Sequence, residues 1–134
     1  MAEAGFDWAD YFKLAQELGG RKEEACLRSS LSRAYYYVFN IALIRAERNG
    51  FVSVRNESTH NQLWRLFSKS PEPECIWLGQ IALRLKEKRE RADYKAVYPR
   101  IEEDVPEVLK DVQEFTSRLT KLHYRHPNPS SVRQ

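Results

Sequence analysis

The stretch from Lys22 to Arg48, closed by Asn49-Gly50, constrains the fold more than any other part of the chain. Leu27, Leu31, Ala34, Val38 and Ala42 recur at the three- and four-residue steps of an α-helix. Tyr35, Tyr36, Tyr37, Phe39 and Ile41 fill most of the remaining circumference. A helix that is apolar on most sides must be surrounded, so this one is central and others lie against it. A chain of 134 residues is one domain by length. It can bury roughly two thirds of its unfolded surface, so its core needs no covalent staple.

The surrounding helices follow from the same periodicity. Asp7 is placed to cap a first helix carrying Trp8, Tyr11, Phe12, Ala15 and Leu18, ended by Gly19-Gly20. After a connector over Phe51–Ser58, Thr59 opens a third helix with Gln62 three residues on, a capping-box pattern that leads into Leu63, Trp64, Leu66 and Phe67. Prolines 71 and 73 break the chain before a fourth helix from about Glu74 to Tyr94. A fifth runs from about Ile101 to Tyr124. The expected fold is all-α, a bundle of four to five helices over residues 1–124 with a flexible tail over 125–134.

Several function classes recede at this stage. The net charge of +3 permits a nucleic-acid partner without requiring one. Cys26 and Cys75 match no metal spacing and read as small buried thiols of a reducing compartment. The start MAEAGFDW carries no basic and apolar leader, and the longest apolar run, Tyr35–Ile44, is broken by Asn40 and closed by Arg45. That run is too short to span a bilayer, and the expected location is cytoplasmic, with no membrane contact.

Three groups of polar residues carry chemistry. Arg84, Lys88, Arg91 and Lys95 share one face of the fourth helix, either as a solvated face balanced by Glu87 and Glu90 or as a stripe contacting phosphates. Arg89 follows Leu78, Ala82 and Leu85 at core spacing, with Asp93 one turn on. A charge on that face requires a partner, so Arg89–Asp93 is either a structural ion pair or an arginine held and aimed at a phosphate. His60, at the start of the third helix, lies where the macrodipole disfavours an imidazolium. It is either a plain surface histidine or a neutral general base beside an anion site, with Arg55 five residues upstream.

Ser32-Arg33-Ala34-Tyr35-Tyr36, then Thr59-His60, then the run from Leu83 to Tyr94 ending in Arg89-x-x-Ala92-Asp93-Tyr94 resemble the HEPN superfamily. The match is closest to its branch with Ser-Arg-Ala-Tyr-Tyr and Arg-x-x-Ala-Asp-Tyr segments, and it spans about Trp8 to Leu122. The resemblance implies a helical bundle that forms a homodimer. It implies a metal-independent ribonuclease acting on RNA such as tRNA, encoded as a toxin beside a nucleotidyltransferase-type antitoxin. Other members bind nucleotides or proteins without catalysis.

The family's signature is an arginine, four to six residues, then a histidine. Arg55 and His60 fit that spacing, and so do Arg118 and His123 as a second choice. On a continuous helix the second pair would point about 140° apart, so it converges only across a helix end.

The expected catalytic set is His60, Arg89, Asp93 and Arg55, with RNA or phosphate contacts from Arg33, Arg84, Lys88, Arg91 and Tyr94. No metal or cofactor is expected. Two copies of His60 across a dimer would serve as base and acid, Arg89 and Arg55 would steady the phosphorane, and Asp93 would orient Arg89. A non-catalytic binding module predicts ligand binding that depends on Arg89 without cleavage. A purely structural role predicts that replacing Arg89 only weakens the fold.

Overall fold

Around α2 (Glu24–Arg48) the chain wraps four further helices, α1 (Ala9–Gly19), α3 (Thr59–Ser68), α4 (Pro73–Tyr94) and α5 (Ile101–Lys121). A single 3-10 turn over Pro129–Ser131 follows. The computed structural model describes residues 5–131, and among them there is no β-strand. The central position of α2 follows from its composition: α1, α4 and α5 all pack on it, and Ala34, Tyr35, Val38, Ala42 and Ala46 are fully buried. α3 is carried mainly by α4. No helix among the described residues is long and apolar enough to cross a membrane.

The helix boundaries differ from the sequence expectation by one to three residues. α2 begins at Glu24 rather than Lys22, and α4 at Pro73 rather than Glu74, because proline is tolerated in the first turn. α5 stops at Lys121 rather than Tyr124. The cap of α3 is Ser58, whose hydroxyl accepts from the Asn61 N–H at 3.4 Å, so Thr59 is already helical. Gln62 closes no capping box. Its amide instead clamps the connector, accepting from Val54 N–H at 2.8 Å and donating to the carbonyls of Val54 and Glu57 at 3.0 Å.

Two arginines of α2 tie down the carbonyl ends of its neighbours, which otherwise lack partners. Arg28 donates to the carbonyls of Ala92 at 2.9 Å and Ala96 at 3.1 Å, holding the end of α4. Arg45 donates to Leu119 at 2.8 Å and His126 at 3.1 Å, holding the end of α5. Arg45 and Asn49, which donates to the Pro127 carbonyl at 3.1 Å, hold His126 and Pro127 against the bundle, and Pro127 is buried.

α3 and α4 approach closely at Gly79. A Cβ there would meet the Ser68 backbone nitrogen at 3.0 Å and the Phe67 Cβ at 3.1 Å. Alanine at this position gains about 1 kcal/mol of helix propensity. Against that stands overpacking against backbone, which costs about 1–3 kcal/mol. Gly79→Ala is therefore expected to lower stability, measured as the urea midpoint. A raised midpoint would mean that α3 yields freely and that the close approach is not needed.

Candidate functional site

The site grows from three helices at the α3 side of the bundle. α2 turns Ser32, Tyr35, Tyr36 and Phe39 toward it at helical steps, α3 brings His60 and Trp64 one turn apart, and α4 brings Arg89, Asp93 and Tyr94. His60 is half-buried and stacks on Phe39, with ring centroids 3.8 Å apart and planes 17° apart. Its Nδ1 lies 2.6 Å from the Tyr35 hydroxyl, and that hydroxyl accepts a hydrogen bond from the Trp64 indole at 3.0 Å. Tyr35 and Trp64 are among the most buried side chains of the molecule.

Arg89 lies against the same tyrosines. Its guanidinium carbon is 5.3 Å from the ring centres of both Tyr35 and Tyr36 and 5.9 Å from that of Tyr94. Its side chain is only 9% exposed. Among the described residues it has one hydrogen-bond partner, Asp93, met end-on at 3.4 Å. The buried Nε–H has no acceptor and faces aromatic surroundings instead. Asp93 also accepts from Ser32 Oγ at 3.4 Å. This is a poorly paired buried cation, since a guanidinium forks ideally onto a carboxylate through two bonds. Tyr94, 75% exposed, forms the outer lip.

The electrostatics follow from that packing. His60 is held down to about 4, first by burial and then by the positive charges of Arg89 and Lys86, with Glu90 pulling the other way. Burial pushes the Tyr35 phenol well above its ordinary value, so it stays protonated. The lowered histidine makes stability pH-dependent with a definite sign. Below the ordinary value of 6.5 the unfolded chain takes up a proton that the folded chain refuses until about pH 4. This contribution is complete above pH 6.5 and is lost as pH falls toward 4. With His60 partly exposed, it amounts to about 1–2 kcal/mol. Denaturant unfolding between pH 7 and 4 should show that loss in the wild type and a smaller one in His60→Gln.

The other expected residues are distributed differently. Arg55 lies exposed in the turn of the connector, beside Asn56 with φ 72°, and is not among the side chains gathered at His60. Arg33 lies over the Tyr11 ring of α1 at 4.9 Å. On the α4 stripe, Lys88 pairs with Glu107 at 3.4 Å and Arg91 with Glu87 at 2.7 Å, while Arg84 is exposed. Two cations of the stripe, Lys88 and Arg91, are thus paired with carboxylates.

Arg118 and His123 do reach one place, because α5 ends between them. They line a surface cavity of about 440 Å³ with Glu72, Glu74 and His126. Arg118 is occupied there, paired with Glu74 and Glu114 at 3.2 Å each and lying 3.8 Å over the Trp77 ring. Among the described residues no cluster of three or more His, Cys, Asp or Glu side chains is arranged to hold a metal ion.

The sequence points to His60, Arg89, Asp93 and Tyr94; it gives Trp64 as core, with stacking on a base as the alternative, and Ser32 only as part of the Ser-Arg-Ala-Tyr-Tyr segment. The signal was present at one-turn spacing: Trp64 follows His60 by four residues, and Tyr35 and Tyr36 follow Ser32 by three and four. Comparison with protein-family models, curated proteins and solved structures finds no match for this chain.

Proposed function

We propose that this chain is a HEPN-type module that binds RNA, taking a backbone phosphate between His60 and Arg89. The observation that carries this reading is Arg89, a cation whose side chain is 9% exposed and whose one side-chain hydrogen bond among the described residues is a 3.4 Å contact to Asp93. A buried charge so incompletely paired is costly, and a phosphate oxygen offers the forked partner that Asp93 does not. Supporting it, the three segments that resemble the HEPN superfamily meet at this one place, through Tyr35, His60 and Arg89. The same reading includes a homodimer.

A metal-independent ribonuclease, paired with a nucleotidyltransferase-type antitoxin, is the second reading. What favours it is that His60 is uncharged at neutral pH, the state that a base requires. One assay separates the two readings. End-labelled tRNA and single-stranded RNA are incubated in EDTA with wild type, His60→Ala and Arg89→Ala proteins shown to fold. Binding without cleavage, weakened in both variants, is the expected result. Cleavage lost in both variants would establish the ribonuclease. Cleavage persisting in His60→Ala would move the chemistry to Arg118 and His123, and absence of both binding and cleavage would overturn the proposal.

A further inference from the structure

The hydrogen bonds behind His60 leave it only one comfortable tautomer. The Trp64 indole N–H can only donate, so it occupies a lone pair of the Tyr35 oxygen, at 3.0 Å. The Tyr35 O–H must then find an acceptor of its own. Tyr35 is 0% exposed, so water supplies none, and the acceptor within reach is His60 Nδ1 at 2.6 Å. Nδ1 therefore accepts, and the neutral imidazole keeps its proton on Nε2, on the far side of the ring from the buried tyrosine. The reverse tautomer would strand the Tyr35 proton in the core, a penalty that holds it to roughly 15% or less.

We propose that Trp64 and Tyr35 are positioning residues that lock His60 as a neutral Nε2–H donor to an RNA phosphate oxygen. The inference rests on the RNA-binding reading above and deepens it. In this state His60 adds a hydrogen bond to the anion next to the Arg89 charge. It has no free lone pair with which to take a proton from a ribose 2′-OH. To become a base, it must first give up the Nε2 proton and break its bond with Tyr35. The relay thus makes the site one that holds charge, and it works against general-base cleavage by the same histidine.

The lock can be read in the free protein. The full chain is labelled with ¹⁵N-histidine, and long-range proton–nitrogen spectra are recorded at neutral pH, with His60 assigned by its loss in His60→Asn. The expected pattern is an unprotonated Nδ1 and a protonated Nε2. A protonated Nδ1, or two nitrogens averaged midway, would overturn the lock, whatever RNA does. In folded Tyr35→Phe the two tautomers should mix, and affinity for a 5′-labelled single-stranded oligoribonucleotide should fall by roughly twofold, the factor by which the Nε2–H form is depopulated. An unchanged pattern in that variant would also overturn the lock. Because the wild-type spectrum decides the tautomer alone, the test survives if Tyr35→Phe does not fold. A locked wild type that binds no RNA would instead overturn the RNA reading, so the two failures are distinguishable.

Discussion

Replacing Arg89 with methionine is expected to weaken RNA binding roughly 10- to 150-fold, the about 1.5–3 kcal/mol of a charge-assisted hydrogen bond. The same change should leave stability within about 1 kcal/mol of wild type. The two halves of this expectation have separate causes. The lost affinity is the loss of the cation that faces the phosphate. The retained stability follows from how little the protein itself gains from the charge. Methionine keeps the apolar stem against Tyr35 and Tyr36 and removes the buried Nε–H that has no acceptor. The carboxylate left behind, Asp93, is 29% exposed and keeps Ser32 as a donor, so it is not stranded in a dry interior. A purely structural Arg89 would give the opposite pattern: a protein destabilised by several kcal/mol that binds RNA as before. Fluorescence anisotropy with labelled RNA, beside urea unfolding of both proteins, distinguishes the two.

Trp64→Ala should be the most damaging single change in the site, lowering stability by about 3–5 kcal/mol. Trp64 is 1% exposed and packs edge-on against Phe39 and Phe115, so its removal opens a cavity between α2, α3 and α5. It also removes the donor to Tyr35 and frees that hydroxyl to turn away from His60. Trp64→Phe refills most of the volume and should recover more than half of the stability without restoring the donor. Urea denaturation of the two variants measures the difference. Equal losses in both would show that the hydrogen bond to Tyr35, rather than the packing, holds α3 in place.

Much of the fold was legible because it depends on local patterns. The encircling apolar residues of α2 forced a central helix, and it is central. Arg89 was legible as buried because it continues the stripe of Leu78, Ala82 and Leu85, all of which are in the core. Helix ends were less legible, because Ser58 and Thr59 are equally good caps on paper and only the path of the connector chooses Ser58. Long-range pairing was not legible at all. Nothing local says that Glu107 of α5 will reach Lys88, or that Arg28 and Arg45 of α2 will hold the ends of α4 and α5. The relay from Trp64 through Tyr35 to His60 crosses two helices, and the periodicity of either helix alone marks both aromatics simply as core.

The most direct test of the site is to watch the side chains themselves while RNA is added. In the ¹⁵N-labelled full chain, the His60 ring nitrogens and the Arg89 guanidinium are followed during titration with a single-stranded oligoribonucleotide in EDTA. His60 and Arg89 are expected to shift together and to saturate at one RNA concentration, while His123 and His126 stay in place. Saturating shifts at His123, His126 and Arg118 with His60 and Arg89 unmoved would contradict the assignment and place the RNA at the cavity beside the end of α5.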